Sequence, residues 1–178
     1  MTDQPLAPPP DDKDWTWVLE TPCPECGFDA TSVERESIGA ILRDNVAAWQ
    51  EILRHEPASL RQRPEPTTWS ALEYACHIRD VLGLYSERLT LMLTEDGPHY
   101  ANWDQDVTAI EHRYDLADPS AVSAELAALG SALADQFDAV AGDQWERTGH
   151  RSDGATFTVE SFARYFIHDP LHHLWDVA

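Results

Sequence analysis

The stretch Trp69-Ser-Ala-Leu-Glu-Tyr-Ala-Cys-His-Ile-Arg-Asp80 is typical of the beginning of an amphipathic helix. Ser70 and Glu73 have the spacing of a capping box, in which the side chain of each residue accepts a hydrogen bond from the backbone N–H of the other. Apolar residues then recur at steps of three and four until Gly97-Pro98 ends the pattern. These residues are Ile78, Val81, Tyr85, Leu89 and Met92. The stretch therefore predicts a long helix with one apolar face.

Three other segments show the same helical period. Thr31-Ser-Val-Glu34 is a second capping box, and the apolar stripe that follows it ends at Pro57. Asp118 and Pro119 place an N-cap before a proline at the first helical position, and a further stripe follows. The last segment begins near Thr158 and reaches the C-terminus. Because no segment alternates convincingly with a period of two, the sequence predicts an all-α fold, an antiparallel-type four-helix bundle.

The predicted bundle domain covers residues 31–178, and residues 1–30 form an irregular N-terminal segment. Residues 1–14 are rich in proline and acidic residues, which predicts a disordered or loosely draped lead-in. The apolar patch at residues 15–19 is expected to pack onto the domain. Residues 97–117 form a long connection between the second and third helices, and such loops are usually functional or disordered. Its aromatic content argues against a plain linker.

The amino-acid composition makes two classes of binding partner unexpected. Lys and Arg number 12 and Asp and Glu number 32, so the formal net charge is −20. A surface this acidic repels nucleic acid phosphates and anionic lipid headgroups, so neither nucleic acid nor a membrane is an expected partner. The sequence has no apolar run long enough to span a bilayer and no secretory signal pattern at its N-terminus. Three cysteines do not make a disulfide framework, which favours a cytoplasmic protein.

Three histidines are candidate metal ligands. His168-Asp-Pro-Leu-His172 places two imidazoles four residues apart on one helical face, where both can reach one ion. His77 lies at the inner edge of the apolar stripe of the second predicted helix. Three neutral imidazoles from two helices would make a metal site with an open position. The alternative is that these are ordinary core or boundary residues; His173, about 100° away from His172, is expected to support the site or lie at the surface.

The two motifs together resemble the DinB-like superfamily. They are Trp69-Ser70-x-x-Glu73-x-x-x-His77-Ile-x-Asp80 and, some 90 residues later, His168-x-x-x-His172-His173. Within that superfamily the chain is most similar to the actinobacterial branch, the relatives of mycothiol-dependent maleylpyruvate isomerase and of thiol S-transferases. The resemblance covers residues 31–178. It implies a divalent metal held by His77, His168 and His172, with zinc as the first expectation and nickel, iron or manganese as alternatives, and it implies frequent homodimers.

Five further residues are candidates for supporting roles. Glu73 and Asp80 flank His77 on its helix, and either carboxylate would fix the tautomer of a ligating histidine by accepting its ring N–H. For Glu73 the capping box is an alternative explanation. Tyr165 and Trp175 lie on the same helical face as the His168/His172 pair and are expected to contact a substrate. Trp103, in the long connection, is expected either to line the mouth of the site or to lie on the loop surface.

The pair Cys23-Pro-Glu-Cys26, followed by Gly27, resembles half of a zinc knuckle. No second C-x-x-C motif follows, so a metal site there would need histidines or a partner chain. Free or buried thiols, a second metal site and a redox pair all stay open as interpretations. Cys76 is expected to be a small core residue of its helix.

The sequence leaves three functions open. The first is a metal-dependent thiol transferase or isomerase, in which the cation deprotonates a low-molecular-weight thiol that attacks an electrophile. The thiol would be mycothiol if the resemblance to the actinobacterial branch holds. The second is a non-catalytic metal- or small-molecule-binding module of a stress response. The third is hydrolysis by metal-bound water, which needs a general base that the sequence does not locate.

Overall fold

The computed structural model describes residues 14–178, and within this range the chain forms a helical bundle with a small sheet at its edge. The α-helices are α1 (Ile38–Ile52), α2 (Pro57–Leu60), α3 (Ala71–Thr94), α4 (Gln105–Glu111), α5 (Pro119–Asp138) and α6 (Val159–Asp176). The strands are β1 (His99–Tyr100), β2 (Thr148–Arg151) and β3 (Thr156–Thr158). Apart from Asp14, the expectation of a loosely draped lead-in at residues 1–14 lies outside the described residues.

The four long helices α1, α3, α5 and α6 build the bundle, which confirms the predicted all-α class. α5 packs against both α1 and α3, and α6 packs against the other side of the same two helices. Each helix buries one apolar stripe in a common core. Side chains almost completely withdrawn from solvent include Leu42, Trp49, Leu82, Leu126 and Phe166.

Three of the four predicted helix starts are confirmed by their caps. Ser70 and Glu73 form the predicted capping box at α3. Asp118 accepts a hydrogen bond from the backbone N–H of Ser120 at the start of α5, with a distance of 3.1 Å. Thr158 likewise caps α6. These side chains satisfy backbone donors that have no partner within the helix.

The first long helix begins later than the sequence predicts, at Ile38. Thr31 lies instead in a short 3-10 turn, and its hydroxyl donates to the carboxylate of Asp29 over 2.7 Å. Because Asp29 caps this turn and engages the Thr31 side chain, the capping box expected between Thr31 and Glu34 does not form.

The small sheet was not predicted from the sequence. β2 pairs in parallel with β1 and antiparallel with β3. The strands contain two to four residues each, which is too short for an alternating pattern to be recognised. β1 and α4 both lie in the long connection at residues 97–117, which is therefore structured.

The described part of the N-terminal segment packs against α6, as predicted for the patch at residues 15–19. Val18 is completely buried, and the Trp15 ring lies 5.4 Å from the ring of His172. α6 itself continues through Pro170 to Asp176, so the proline does not end the helix early. None of the described helices has the length and apolar character needed to cross a membrane.

Candidate metal centres

The first candidate centre lies where α3 faces α6. His77 comes from α3, and Asp169 and His173 come from α6. The Oδ1 atom of Asp169 is 3.3 Å from Nε2 of His77 and 3.0 Å from Nε2 of His173. One donor atom from each of the three side chains lies within 4.8 Å of the others, which is close enough for one ion to reach all three. Two imidazoles and one carboxylate suit zinc, nickel, iron or manganese.

The surroundings of this cluster hold its rings in place. Nδ1 of His173 lies 2.6 Å from Oδ2 of Asp176, a contact that keeps a proton on Nδ1 and makes Nε2 the ring nitrogen that can bind a cation. The Trp103 ring stacks on the ring of His77, with centroids 5.5 Å apart. Tyr74 contacts the His173 ring from the other side, at 4.7 Å. His77 is only 1% exposed, so its orientation is fixed by packing. These features fit a metal-binding site.

Electrostatics also favour a cation at this position. Burial by itself would raise the pKa of Asp169, but the charges of His77 and His173 and the hydrogen bonds from their rings lower it well below its usual range. Burial lowers the pKa of His173, but its hydrogen bonds to Asp169 and Asp176 outweigh this effect and raise the pKa to about 9. A cation that binds Nε2 of His173 must therefore displace a proton, and its affinity rises with pH.

The second candidate centre joins the N-terminal segment to α6. It contains Cys23, Cys26, His168 and His172, with one donor atom from each side chain within 4.8 Å of the others. Sγ of Cys23 is 3.7 Å from Nδ1 of His172. The two cysteines belong to a tight turn in which the backbone N–H of Gly27 donates to the carbonyl of Cys23. Gly27 has a φ of +75°, a left-handed conformation that glycine adopts without strain.

The second cluster is largely closed to solvent. His168 is 4% exposed and lies between the rings of Trp15 and Phe28. Burial, assisted by the neighbouring His172, lowers the pKa of His168 to about 4, so its imidazole is neutral at physiological pH. Within the described residues, its buried Nε2 atom has no hydrogen-bond partner. Burial raises the pKa of the Cys26 thiol, which disfavours a reactive redox pair.

The structure divides the three predicted ligands between these two centres. His77 lies with Asp169 and His173, while His168 and His172 lie with the cysteines. Residues 168 and 172 share one face of α6, and residues 169 and 173 share the next face, about 100° further round. It is the second of these faces that turns toward α3. His173, expected as a supporting or surface residue, is thus a candidate ligand, as is Asp169, which the sequence analysis did not consider.

The two carboxylates expected to orient His77 have other partners. Glu73 completes the capping box and accepts a hydrogen bond from Nε of Arg63 over 2.9 Å. Asp80 accepts hydrogen bonds from the hydroxyl of Tyr114 and from Nε of Arg79. Nδ1 of His77 makes no hydrogen bond within the part of the chain that the structure describes. The carboxylate that contacts a candidate ligand through its second ring nitrogen is instead Asp176, at His173, and the sequence analysis missed it.

A cleft of about 1180 Å³ borders both centres, because Asp169 and His173 of the first and His168 and His172 of the second all line it. Its described lining includes Tyr74, Trp103, Arg151, Tyr165, Asp169 and His173. Trp103 and Tyr165, two of the three residues expected to contact a substrate, line this cleft, whereas Trp175 is not among the described lining residues. Trp175 is 50% exposed and packs against the outer side of His172. It therefore lies beside His172 without being among the described residues that line the cleft.

Comparison with known proteins supports the fold. The chain resembles the solved structure of YfiT from Bacillus subtilis, described as a probable metal-dependent hydrolase with an unusual four-helix bundle topology. The TM-score is 0.63 with 19% sequence identity, and the match covers 96% of this chain and 91% of YfiT. No curated protein matches the sequence. The family profile described as the DinB superfamily matches residues 43–177, which include all of α3, α5 and α6. The chain belongs to the DinB superfamily.

Proposed function

We propose that this protein is a metal-dependent enzyme in which His77, Asp169 and His173 hold a divalent cation that activates a low-molecular-weight thiol. The observation that carries the proposal is a set of three convergent protein ligands, of which Asp169 and His173 line an open cleft. Catalytic zinc sites characteristically have three protein ligands and leave a coordination position for water or substrate. Zinc is the first expectation for the cation, with nickel, iron or manganese as alternatives.

The bound cation would lower the pKa of a thiol, so that the thiolate forms at neutral pH. The residues of the chain bind and orient the reactants. Asp176 keeps the Nε2 atom of His173 available for the cation. Trp103 packs on His77 and supplies an aromatic wall on one side of the cleft.

The cleft suits a large, polar thiol. Its volume of about 1180 Å³ is somewhat larger than the usual upper limit of about 1,000 Å³ for small-molecule sites. Arg151 and Tyr165 are joined by a hydrogen bond of 3.3 Å on the cleft wall, where they can donate to hydroxyl or carboxylate groups. A sugar-bearing thiol such as mycothiol, or another polar thiol, meets these requirements. The reaction is a transfer of the thiol to an electrophile, or an isomerisation through a thiol adduct.

Hydrolysis is a second candidate function, because carboxylates line the same cleft as Asp169 and His173. The carboxylates of Glu25 and Asp104 line the cleft and are candidates for a general base. The description of YfiT as a probable metal-dependent hydrolase points in the same direction. A thiol-independent reaction would then use water in place of the thiol.

Turnover assays with matched variants test these proposals. The zinc-loaded protein is assayed for loss of a bimane-type electrophile with and without added thiol, and for thiol-independent ester cleavage. Asp169→Ala and His173→Ala are expected to abolish turnover, while His55→Ala, at an exposed histidine outside both centres, leaves it unchanged. Turnover that needs thiol supports the first proposal, and turnover without thiol supports hydrolysis. Unchanged turnover in Asp169→Ala contradicts both.

A further inference from the structure

We propose that Cys23, Cys26, His168 and His172 form a second metal site. It is a structural zinc site with four protein ligands, and it holds the N-terminal segment against α6. Nothing in the proposed catalytic function requires these four residues. The site differs from the first centre in its donors and in its number of ligands. The first centre offers three protein ligands, which leaves a coordination position open, and the second offers four, which complete a tetrahedral shell.

The donor set is that of a structural zinc site. Two sulfur and two imidazole donors complete a tetrahedral shell, which is the usual arrangement when zinc holds a fold together. On binding, each of the two thiols loses a proton to solvent, and two thiolates then balance the two charges of the ion. The four-ligand zinc site is therefore electrically neutral, which suits a position where Cys23 is only 2% exposed.

Two hydrogen-bonding features point to a missing ligand at this place. The Nε2 atom of His172 lies 3.2 Å from Oε2 of Glu25, so this nitrogen is occupied and Nδ1, 3.7 Å from Sγ of Cys23, is the one free to coordinate. His168 carries a buried Nε2 atom without a hydrogen-bond partner among the described residues. An unpartnered buried nitrogen is costly, and a cation at the cluster would engage this ring.

The local backbone is arranged to present the two sulfurs. Gly27 reverses the chain directly after Cys26, and the backbone N–H of Cys23 donates to the carbonyl of Phe28 over 2.8 Å. This closes the turn and carries the Phe28 ring to 5.2 Å from the His168 ring. Trp15 covers the same two histidines from the preceding part of the chain. The turn is thus docked on the histidine face of α6.

A disulfide between Cys23 and Cys26 is the competing interpretation. Such a bond would occupy both sulfurs, and it would leave the buried nitrogen of His168 without a partner. It would also give no reason for two histidines to converge on the cysteine turn. The zinc site accounts for all four side chains together.

The site is tested on the full-length protein, purified under reducing conditions. Metal content is measured by mass spectrometry for the native chain, the Cys23→Ser/Cys26→Ser variant and a Cys76→Ala control. Cys76 is buried in α3, outside both candidate centres, so the control tests whether the loss of any cysteine matters. We expect the double variant to bind about one equivalent of zinc less than the native chain, and the control to bind the same amount.

Cobalt substitution identifies the ligands independently of metal content. Thiolate-to-cobalt charge-transfer absorption is expected in the native chain, in Cys76→Ala and in Asp169→Ala, and it is expected to disappear in Cys23→Ser/Cys26→Ser. Because Cys26 is half-buried, Cys26→Ser alone serves as a second variant that keeps the fold and weakens this absorption. If reduced native protein shows no such absorption, or if the double variant keeps its full metal content, the proposal is overturned. Loss of absorption in Asp169→Ala would likewise overturn the independence of the two sites.

Discussion

Asp176 lies behind His173, with its Oδ2 atom 2.6 Å from Nδ1. We expect Asp176→Asn to weaken metal binding at the first centre about 10- to 100-fold, because a ligating histidine loses basicity and orientation without its carboxylate partner. Competition with a chromogenic chelator measures the affinity. Asp138→Asn, on the far end of α5, is the control and should leave the affinity unchanged. Equal affinities in Asp176→Asn and the native chain would refute this role.

Glu73 forms an ion pair with Arg63, and both side chains are almost fully buried. Glu73→Gln is expected to lower the free energy of unfolding by about 3 kcal/mol, since it removes the charge that is hydrogen-bonded to the buried guanidinium of Arg63. Urea denaturation measures this change. The metal content should stay at the native value, because the Glu73 carboxylate accepts hydrogen bonds from Arg63 and from the backbone N–H of Ser70 and not from His77. Loss of metal with unchanged stability would instead give Glu73 the role first expected from the sequence.

At the residue scale, the sequence identified the residue types of the candidate site but not which face of α6 supplies them. His77 and a pair of residues four apart on the last helix could be identified from spacing. However, His168-Asp-Pro-Leu-His172-His173 contains two such pairs, His168/His172 and Asp169/His173. The choice depends on which face of α6 turns toward α3. Contacts around the whole helix, including those with the N-terminal turn, determine which face this is. No local sequence pattern indicates it.

At the scale of elements, substitution by alanine is expected to change the free energy of unfolding in opposite directions at two helical glycines. A Cβ atom at Gly130 on α5 would lie 2.5 Å from a methyl group of Val46 on α1, whereas a Cβ atom at Gly83 on α3 would meet nothing within 4 Å. We expect Gly130→Ala to lower the free energy of unfolding by about 1–3 kcal/mol through overpacking.

Gly83→Ala is its matched control and should raise the free energy of unfolding by up to about 1 kcal/mol, because alanine favours the helix more than glycine does. Both values come from urea denaturation of the purified proteins. Equal stabilities for Gly130→Ala and Gly83→Ala would show that α1 and α5 do not approach as closely as the structure indicates.

Local sequence patterns predicted the helices well where a capping residue is followed by a long stripe of apolar residues. The starts of α3, α5 and α6 follow from Ser70, Asp118 and Thr158, whose side chains satisfy the first backbone donors. The start of α1 was predicted too early, at Thr31, because the Thr31 hydroxyl donates a hydrogen bond to Asp29 in a separate turn. The sheet was missed since its strands are held by pairing between distant segments, and the sequence pattern of two to four residues does not reveal such pairing.

At the scale of the whole molecule, the two centres occupy neighbouring faces of α6. Asp169 directly follows His168, and His173 directly follows His172. A metal ion at the second centre therefore fixes the rotation of α6, the helix that carries two ligands of the first centre. In this account the described part of the N-terminal segment supports the first centre through α6, although residues 14–30 contribute no side chain to that cluster.

Removal of metal should consequently destabilise the entire fold. A zinc site occupied at about 100 times its Kd adds about 2.7 kcal/mol to the free energy of unfolding. For a chain of this size, loss of that contribution lowers Tm by about 5–10 °C. We expect a chelator to lower the Tm of the native protein by this amount, and to lower the Tm of Cys23→Ser/Cys26→Ser by less. An unchanged native Tm, with metal shown to be removed, would contradict a structural role for the second site.

The most direct test of the central claim compares adjacent residues on α6. In the Cys23→Ser/Cys26→Ser background, metal content is measured by mass spectrometry after addition of either His168→Ala or Asp169→Ala. The account predicts that the background retains about one equivalent of metal, that His168→Ala leaves it in place and that Asp169→Ala removes it. If His168→Ala removes the metal and Asp169→Ala does not, His77 shares its ion with His168, and the assignment of the catalytic centre to His77, Asp169 and His173 is wrong.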